Sequence, residues 1–145
     1  MTDKMSSAEP ITAPLFTGSD IIYTYTLDQA LEDGVMVDAN EGDLAEVTRQ
    51  HTKLKVYMTR ALFNLIERAV NNKRWCNDWK GVWHDILWMS KGARRVVAER
   101  SRPALFKVII TGTGRKRLYI LKVQLAWATP ESTEPHWVYM TEDED

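Results

Sequence analysis

The residues of this 145-residue chain that could carry chemistry are few and widely spaced. His84 and Asp85 could act as a base and its orienting carboxylate, but neighbours on a helix point about 100° apart and do not readily hydrogen-bond to each other. His51, His84 and His136 lack the HxH or HxxxH spacing of metal ligands and would meet only through tertiary contacts. We therefore expect no catalytic site, no metal and no cofactor, and a protein that is not an enzyme.

Two further candidates have simpler explanations. The single cysteine, Cys76, follows basic residues that could lower its thiol pKa, but an inert structural cysteine is the commoner case. Residues 112–117 resemble a phosphate-binding loop, yet they lack the strand-to-helix context that gives such loops their dipole. A basic hairpin tip describes them better.

The charges segregate along the chain, although the formal net charge is only −1. Residues 1–47 carry ten acids and one base, residues 48–122 carry eighteen bases and four acids, and residues 123–145 carry six acids and no base. An exposed basic surface of that size would bind polyanions. Segregation in sequence does not imply segregation in space, so the acidic flanks could equally pack over the basic segment and neutralise it.

Basic residues and tryptophans of this segment are the strongest candidates for a binding surface. A basic hairpin can enter a nucleic-acid groove, and exposed aromatic residues together with Arg are typical of protein interfaces. Trp79 and Trp83 belong to the predicted core, and the other four tryptophans exceed what a domain of this size usually buries. The predicted binding residues are Arg94, Arg95, Arg100, Arg102, Arg115, Lys116, Arg117, Trp75 and Trp88.

The element that must position most of these residues is a helix predicted over residues 77–99. Trp79 and Trp83 fall on one apolar face with the spacing of a buried helix, and Asn77 or Asp78 is placed to cap the first turn.

Shorter patterns predict the other elements. Thr26 and Gln29 have capping-box spacing and begin a helix over residues 27–33, which Gly34 ends in the left-handed conformation. Thr59 caps a second helix, over residues 60–72, and residues 43–51 have weaker helical character. Strands are predicted at residues 35–37, 53–58, 104–111, 117–128 and 136–141, with a β-prone run at residues 21–25 and a hairpin at residues 112–114.

These elements predict an α+β fold: an antiparallel sheet of three to four strands with two main helices packed on one face. We expect one domain over residues 20–141, a flexible leader over residues 1–19 and an acidic tail over residues 142–145. The chain has no apolar run of 18 residues and no signal-peptide pattern, and its lone cysteine suits a reducing compartment. We therefore expect a cytoplasmic protein without a membrane partner.

Four stretches of the sequence form a distinctive set: YTYTLDQALEDGVMVD at residues 23–38, MTRA at residues 58–61, VWHDILWM at residues 82–89 and VYMTEDED at residues 138–145. Together they resemble a family of small proteins carried by bacterial plasmids and phages, over most of the chain from Ile21 onward. No activity or site residues are established for that family. The resemblance therefore implies a setting, a mobile genetic element in a bacterial cell, and no catalytic residue.

Two functions follow from these observations. The first is a non-catalytic phage or plasmid protein that engages and inhibits a host protein complex, as an anti-CRISPR or anti-restriction factor would; surplus Trp and Arg support the binding, and the implied setting supplies the anti-defence role. The alternative is DNA or RNA binding through residues 48–122. Exposed aromatic residues also suit a homodimer.

Overall fold

A five-stranded sheet lies at the centre of the fold, which a computed structural model describes for residues 26–144. Its strands are β1 (Met36–Asp38), β2 (Val56–Thr59), β3 (Ala104–Ile109), β4 (Leu118–Trp127) and β5 (Pro135–Thr141). They lie side by side in the order β1-β2-β5-β4-β3. The pair β2 and β5 runs parallel, and the other neighbouring pairs run antiparallel. The predicted leader over residues 1–19, the β-prone run at residues 21–25 and Asp145 lie outside the described residues.

Short polar side chains cap several helices at their first turns. The helices are α1 (Leu27–Glu32), α2 (Ala45–His51, after a 3-10 turn at Gly42–Leu44), α3 (Arg60–Asn71), α4 (Trp79–Met89) and α5 (Lys91–Arg100). The predicted capping box is confirmed: the Thr26 hydroxyl accepts a hydrogen bond from the Gln29 amide, and the Gln29 side chain accepts one from the Thr26 amide. Thr59 caps α3, Asp78 caps α4, and Gly34 follows α1 with a φ of +77°.

One face of the sheet carries the hydrophobic core. Side chains alternate along β3, where Phe106 and Val108 are buried while Leu105, Lys107 and Ile109 are exposed. The helices α3, α4 and α5 pack on the buried face through apolar residues with helical spacing. Their core residues are Leu62, Leu65, Ile66, Ala69, Val82, Trp83, Ile86, Leu87, Ala93 and Val97.

The predicted α+β class is confirmed, but the sheet and the helices differ in detail. The sheet has five strands instead of three or four, and it is mixed because β2 runs parallel to β5. The described part of the chain has five α-helices instead of two main ones, and four of them contribute residues to the core, α2 through Val47. In β5, every residue from His136 to Met140 is buried, as is typical of a central strand.

The helix predicted over residues 77–99 is two helices joined at Ser90. The buried Ser90 hydroxyl donates to the Leu87 carbonyl at 2.8 Å, which is the carbonyl that the Lys91 amide would take in a continuous helix. Gly92, in the first turn of α5, further lowers the helical propensity. The chain therefore leaves α-helical geometry at Ser90, where ψ is −1°.

The acidic tail is fastened to the domain at Glu144. Its carboxylate accepts hydrogen bonds from the Thr59 hydroxyl at 2.7 Å, and from the Thr141 amide and hydroxyl at 2.8 and 2.9 Å. The Lys122 ammonium also donates to the Glu144 carbonyl. Glu142 and Asp143 are exposed, and the Asp143 carboxylate accepts a hydrogen bond from the Thr141 hydroxyl at 2.8 Å.

Candidate binding surfaces

An apolar groove lies between the end of α4 and the β3–β4 hairpin. We call it the Trp88 groove; it measures about 360 Å³ and is lined by Asp85, Trp88, Met89, Lys107, Val108, Ile109 and Leu118. Four of the side chains are large, apolar and more than half exposed: Trp88 at 56%, Met89 at 51%, Ile109 at 64% and Leu118 at 52%. Exposed apolar side chains that are grouped in this way mark interaction sites, whereas isolated ones are ordinary.

Trp88 is held in place by aromatic and cationic neighbours. Its ring stacks on His84 with the centroids 6.3 Å apart, and it lies edge to face with His51 at 6.4 Å. His51 Nε2 and His84 Nδ1 are 2.9 Å apart, so one imidazole donates to the other and links α2 to α4. The Lys91 ammonium lies 4.9 Å from the Trp88 ring centroid. An indole that is already positioned loses little conformational entropy on binding, which favours it as an interface anchor.

Strand β3 borders the groove and forms one edge of the sheet. Its partner is β4, with Ile109 opposite Leu118 and Lys107 opposite Ile120. No other strand in the described part of the chain pairs with β3. An unpaired strand edge can accept an additional strand, whose alternate side chains would then contact the groove.

A second surface forms where the loop after α3 meets the tip of the β3–β4 hairpin. The Asn72 side-chain amide donates to the Gly112 carbonyl at 2.9 Å, and the Asn77 side-chain amide donates to the Thr111 carbonyl at 2.8 Å. Gly112 has a φ of +98°, and an added Cβ would lie 3.1 Å from the Ala69 carbonyl oxygen. Six exposed residues of the two loops form what we call the basic corner: Lys73, Arg74, Trp75, Arg115, Lys116 and Arg117.

Two cations of the basic corner lie over aromatic rings. The guanidinium carbon of Arg117 is 5.3 Å from the Trp75 ring centroid, and the Lys116 ammonium is 4.7 Å from the Tyr119 ring centroid. Trp75 keeps 43% of its surface exposed. Four predicted site residues, Trp75 and Arg115 to Arg117, are thus parts of one surface.

Acidic residues of the tail lie beside this corner. Glu142 and Asp143 line a cleft of about 450 Å³ that Arg68 and Lys116 also line. The C-terminal flank therefore offsets part of the basic charge, which is one of the two arrangements that the sequence leaves open.

Arg94, predicted as a binding residue, is buried, with 8% of its surface exposed. Its guanidinium donates to the carbonyls of Leu87 and His51 at 3.0 and 3.3 Å. It also donates to the hydroxyls of Ser90 and Tyr139 at 2.7 and 2.9 Å. Because these contacts lie inside the protein, Arg94 is a structural residue and belongs to neither surface.

Arg95, Arg100 and Arg102 are exposed but do not join the basic corner. Arg100 ends α5 and Arg102 precedes β3, whereas the hairpin tip follows β3. The 6 residues of β3 separate its two ends by about 20 Å. The predicted basic residues therefore form no single surface.

The residues considered for catalysis or metal binding are only partly brought together. Cys76, His84 and Asp85 line one cleft of about 450 Å³, and His84 is also paired with His51. His136 is buried edge to face with Tyr57, at a centroid distance of 5.0 Å, and burial lowers its pKa. Within residues 26–144, no group of three His, Cys, Asp or Glu residues could hold a metal ion.

Some residues of the two surfaces carry little signal in the sequence. Met89 fits the apolar face predicted for the central helix, and its exposure makes that prediction wrong. Ile109 is apolar and lies in a strand, where such residues are usually buried. Leu118 alternates with Tyr119 and is predicted on the unburied face of β4, where it lies. The exposure of Ile109 follows from its phase, since it alternates with the buried Val108 along β3. Lys73 and Arg74 directly precede the predicted binding residue Trp75, and this adjacency is the sequence feature that indicates their place on the surface.

Comparisons with family models, with curated proteins and with solved structures find no match for this chain. The resemblance to plasmid and phage proteins therefore stays a prediction. In the part of the chain that the structure describes, no helix is long and apolar enough to span a membrane. Fold and surface together define an α+β protein that presents an apolar groove and a basic corner.

Proposed function

We propose that this chain is a non-catalytic binding protein that docks a partner protein through the Trp88 groove. The observation that supports this function is the grouping of four large apolar side chains, each more than half exposed, in a groove that strand β3 borders. Burial of such side chains against a partner removes apolar surface from water and is the main favourable term in protein association.

The partner segment that fits this site is an extended strand. It would pair with the free edge of β3 through main-chain hydrogen bonds and place apolar side chains against Trp88 and Ile109. Asp85 and Lys107 lie in the same groove and would bind polar groups at its rim.

The resemblance to plasmid and phage proteins suggests what the partner does. In that setting we propose a host protein complex, of a restriction or CRISPR defence system, whose activity falls when the groove is occupied. The groove supports binding alone, and the inhibition is the part of the proposal that rests on the implied setting.

A pull-down from nuclease-treated bacterial lysate with matched variants tests the docking. Trp88→Ala and Ile109→Asp should each lose the host protein that the parent chain retains, because both changes remove apolar contact from the groove. Trp127→Ala is the control, since Trp127 is also exposed, at 51%, but lies at the far end of β4 from the hairpin. Equal retention by all variants, or loss of everything after nuclease treatment, would contradict the proposal.

A further inference from the structure

We propose that the basic corner is a second binding site and that its ligand is single-stranded nucleic acid. None of its six residues lines the Trp88 groove, so the site is independent of the proposed protein partner. The site contains only some of the basic residues of segment 48–122, because Arg94 is buried and Arg100 and Arg102 lie beyond the other end of β3.

The charge at the corner suits a chain of phosphates. Residues 68–77 and 110–122 together contain seven basic residues and no acidic residue. All five cations of the corner are exposed, so they can contact phosphates without first leaving buried partners. Each phosphate contact releases condensed counterions, which gives the affinity and its salt dependence.

The two loops hold these cations together before any ligand binds. The Asn72 and Asn77 amides bond to the carbonyls of Gly112 and Thr111, so the hairpin tip is fixed against the loop after α3. A ligand therefore meets a preformed cluster and spends little binding free energy on ordering it.

Trp75 distinguishes a single strand from a duplex. Its indole keeps 43% of its surface exposed and has the Arg117 guanidinium 5.3 Å from its ring centroid. Unpaired bases stack on such rings, whereas the bases of a duplex are stacked on each other and present only their edges. An acidic peptide would use the cations but would gain little from the indole face.

The acidic tail lies beside one cation of the corner, Lys116. Glu142 and Asp143 line the cleft that contains Lys116 and Arg68, and their carboxylates repel an approaching phosphate. Neutralising the two acids should tighten nucleic-acid binding, a change opposite in sign to that of removing the cations.

Fluorescence anisotropy of the full chain with a labelled oligo(dT) of about 12 nucleotides, a length within reach of one such site, tests the proposal. We expect R115E/K116E to weaken binding at least about ten-fold and R100E/R102E less than about two-fold, although both change the net charge equally. Trp75→Ala should weaken binding at least about five-fold, and Trp127→Ala should leave it unchanged.

E142Q/D143N should tighten oligo(dT) binding by about two-fold. If circular dichroism shows that R115E/K116E does not fold, R115Q/K116Q replaces it.

Several results would overturn the assignment. The chain could fail to bind oligo(dT) at about 50 mM salt, or the two charge-reversal variants could weaken binding equally. The matching duplex could bind as tightly as the single strand. Polyglutamate could compete as strongly as unlabelled oligo(dT). Trp88→Ala should bind oligo(dT) like the parent chain, so failure of this site and failure of the groove are separate outcomes.

Discussion

Arg94 lies where the C-terminal ends of two helices meet strand β5. It donates to the carbonyl of Leu87, in the last turn of α4, and to the carbonyl of His51, the last residue of α2. Both helix ends carry partial negative charge, which a guanidinium offsets without a carboxylate. The same side chain donates to Tyr139 on β5, and burial raises the pKa of that phenol and keeps it protonated.

We therefore expect Arg94→Met to lower the free energy of unfolding by about 2–4 kcal/mol, because the carbonyls and hydroxyls that it serves lose a buried donor. Arg95→Met is the matched control: Arg95 is the exposed neighbour, and its loss should cost less than about 0.5 kcal/mol. Urea unfolding of the two variants measures the difference. A similar effect of both substitutions would show that Arg94 does not have this structural role.

Two histidines make the stability of the fold depend on pH. Burial lowers the pKa of His136, and burial followed by the charges of His84, Arg94 and Lys91 lowers that of His51. Below about pH 6.5 the unfolded chain therefore binds protons that the folded chain does not, so stability should fall as the pH drops through this range. Urea unfolding between about pH 5 and pH 7.5 should show a flatter dependence for His136→Gln than for the parent. If the unfolding free energy of His136→Gln changes with pH as steeply as that of the parent, His136 is not a source of the pH dependence.

The tryptophans show how far residue types alone predict exposure. Trp83 and Trp88 are five positions apart, so they lie on different faces of α4, and the predicted burial of Trp83 and surface position of Trp88 are both confirmed. Trp137 is one of the four tryptophans expected beyond the core, and that expectation is wrong for it: it is buried because β5 is a central strand. By the alternation of side chains along β4, Trp127 is on the same face as the buried Leu121 and Val123. It is exposed nevertheless, because it is the last residue of that strand.

At the scale of elements, local patterns locate most strands and helices but not their partners. Capping residues and alternation predict α1, α3 and the β3–β4 hairpin to within a few residues. The parallel pairing of β2 with β5 joins segments far apart in sequence, and no local pattern specifies it. The division of the central helix depends on the contacts of Ser90 with Leu87, Tyr139 and Arg94, which form only in the folded chain.

The junction between the hairpin tip and the loop after α3 can be tested with two glycines. Gly112 and Gly114 both have positive φ, at +98° and +125°, but only at Gly112 would a Cβ press on the Ala69 carbonyl and the Asn77 amide. Gly114→Ala should lower the free energy of unfolding by about 1 kcal/mol, because of its positive φ alone. Gly112→Ala should lower it by about 2–3 kcal/mol, because the added Cβ also clashes with its neighbours. Thermal or urea unfolding measures both. Equal costs would mean that the two loops are not packed together.

At the scale of the whole molecule, the charge pattern of the sequence is only partly preserved in space. Cations gather at the hairpin tip, while Arg94 is buried and Arg100 and Arg102 lie at the opposite end of β3. Tail residues Glu142 and Asp143 reach the cleft beside the corner. Only some of the predicted basic residues therefore form one surface, the basic corner. The apolar groove beside β3 is a separate feature that the sequence pattern does not predict.

Site-specific photo-crosslinking in bacterial cells tests the docking of a protein partner most directly. A benzophenone amino acid would replace Ile109, which is 64% exposed in the Trp88 groove, and in a second variant Trp127, which is 51% exposed at the far end of β4. We expect a covalent adduct with one host protein from position 109 and none from position 127. The same adducts from both positions, or none from position 109, would contradict docking at the groove.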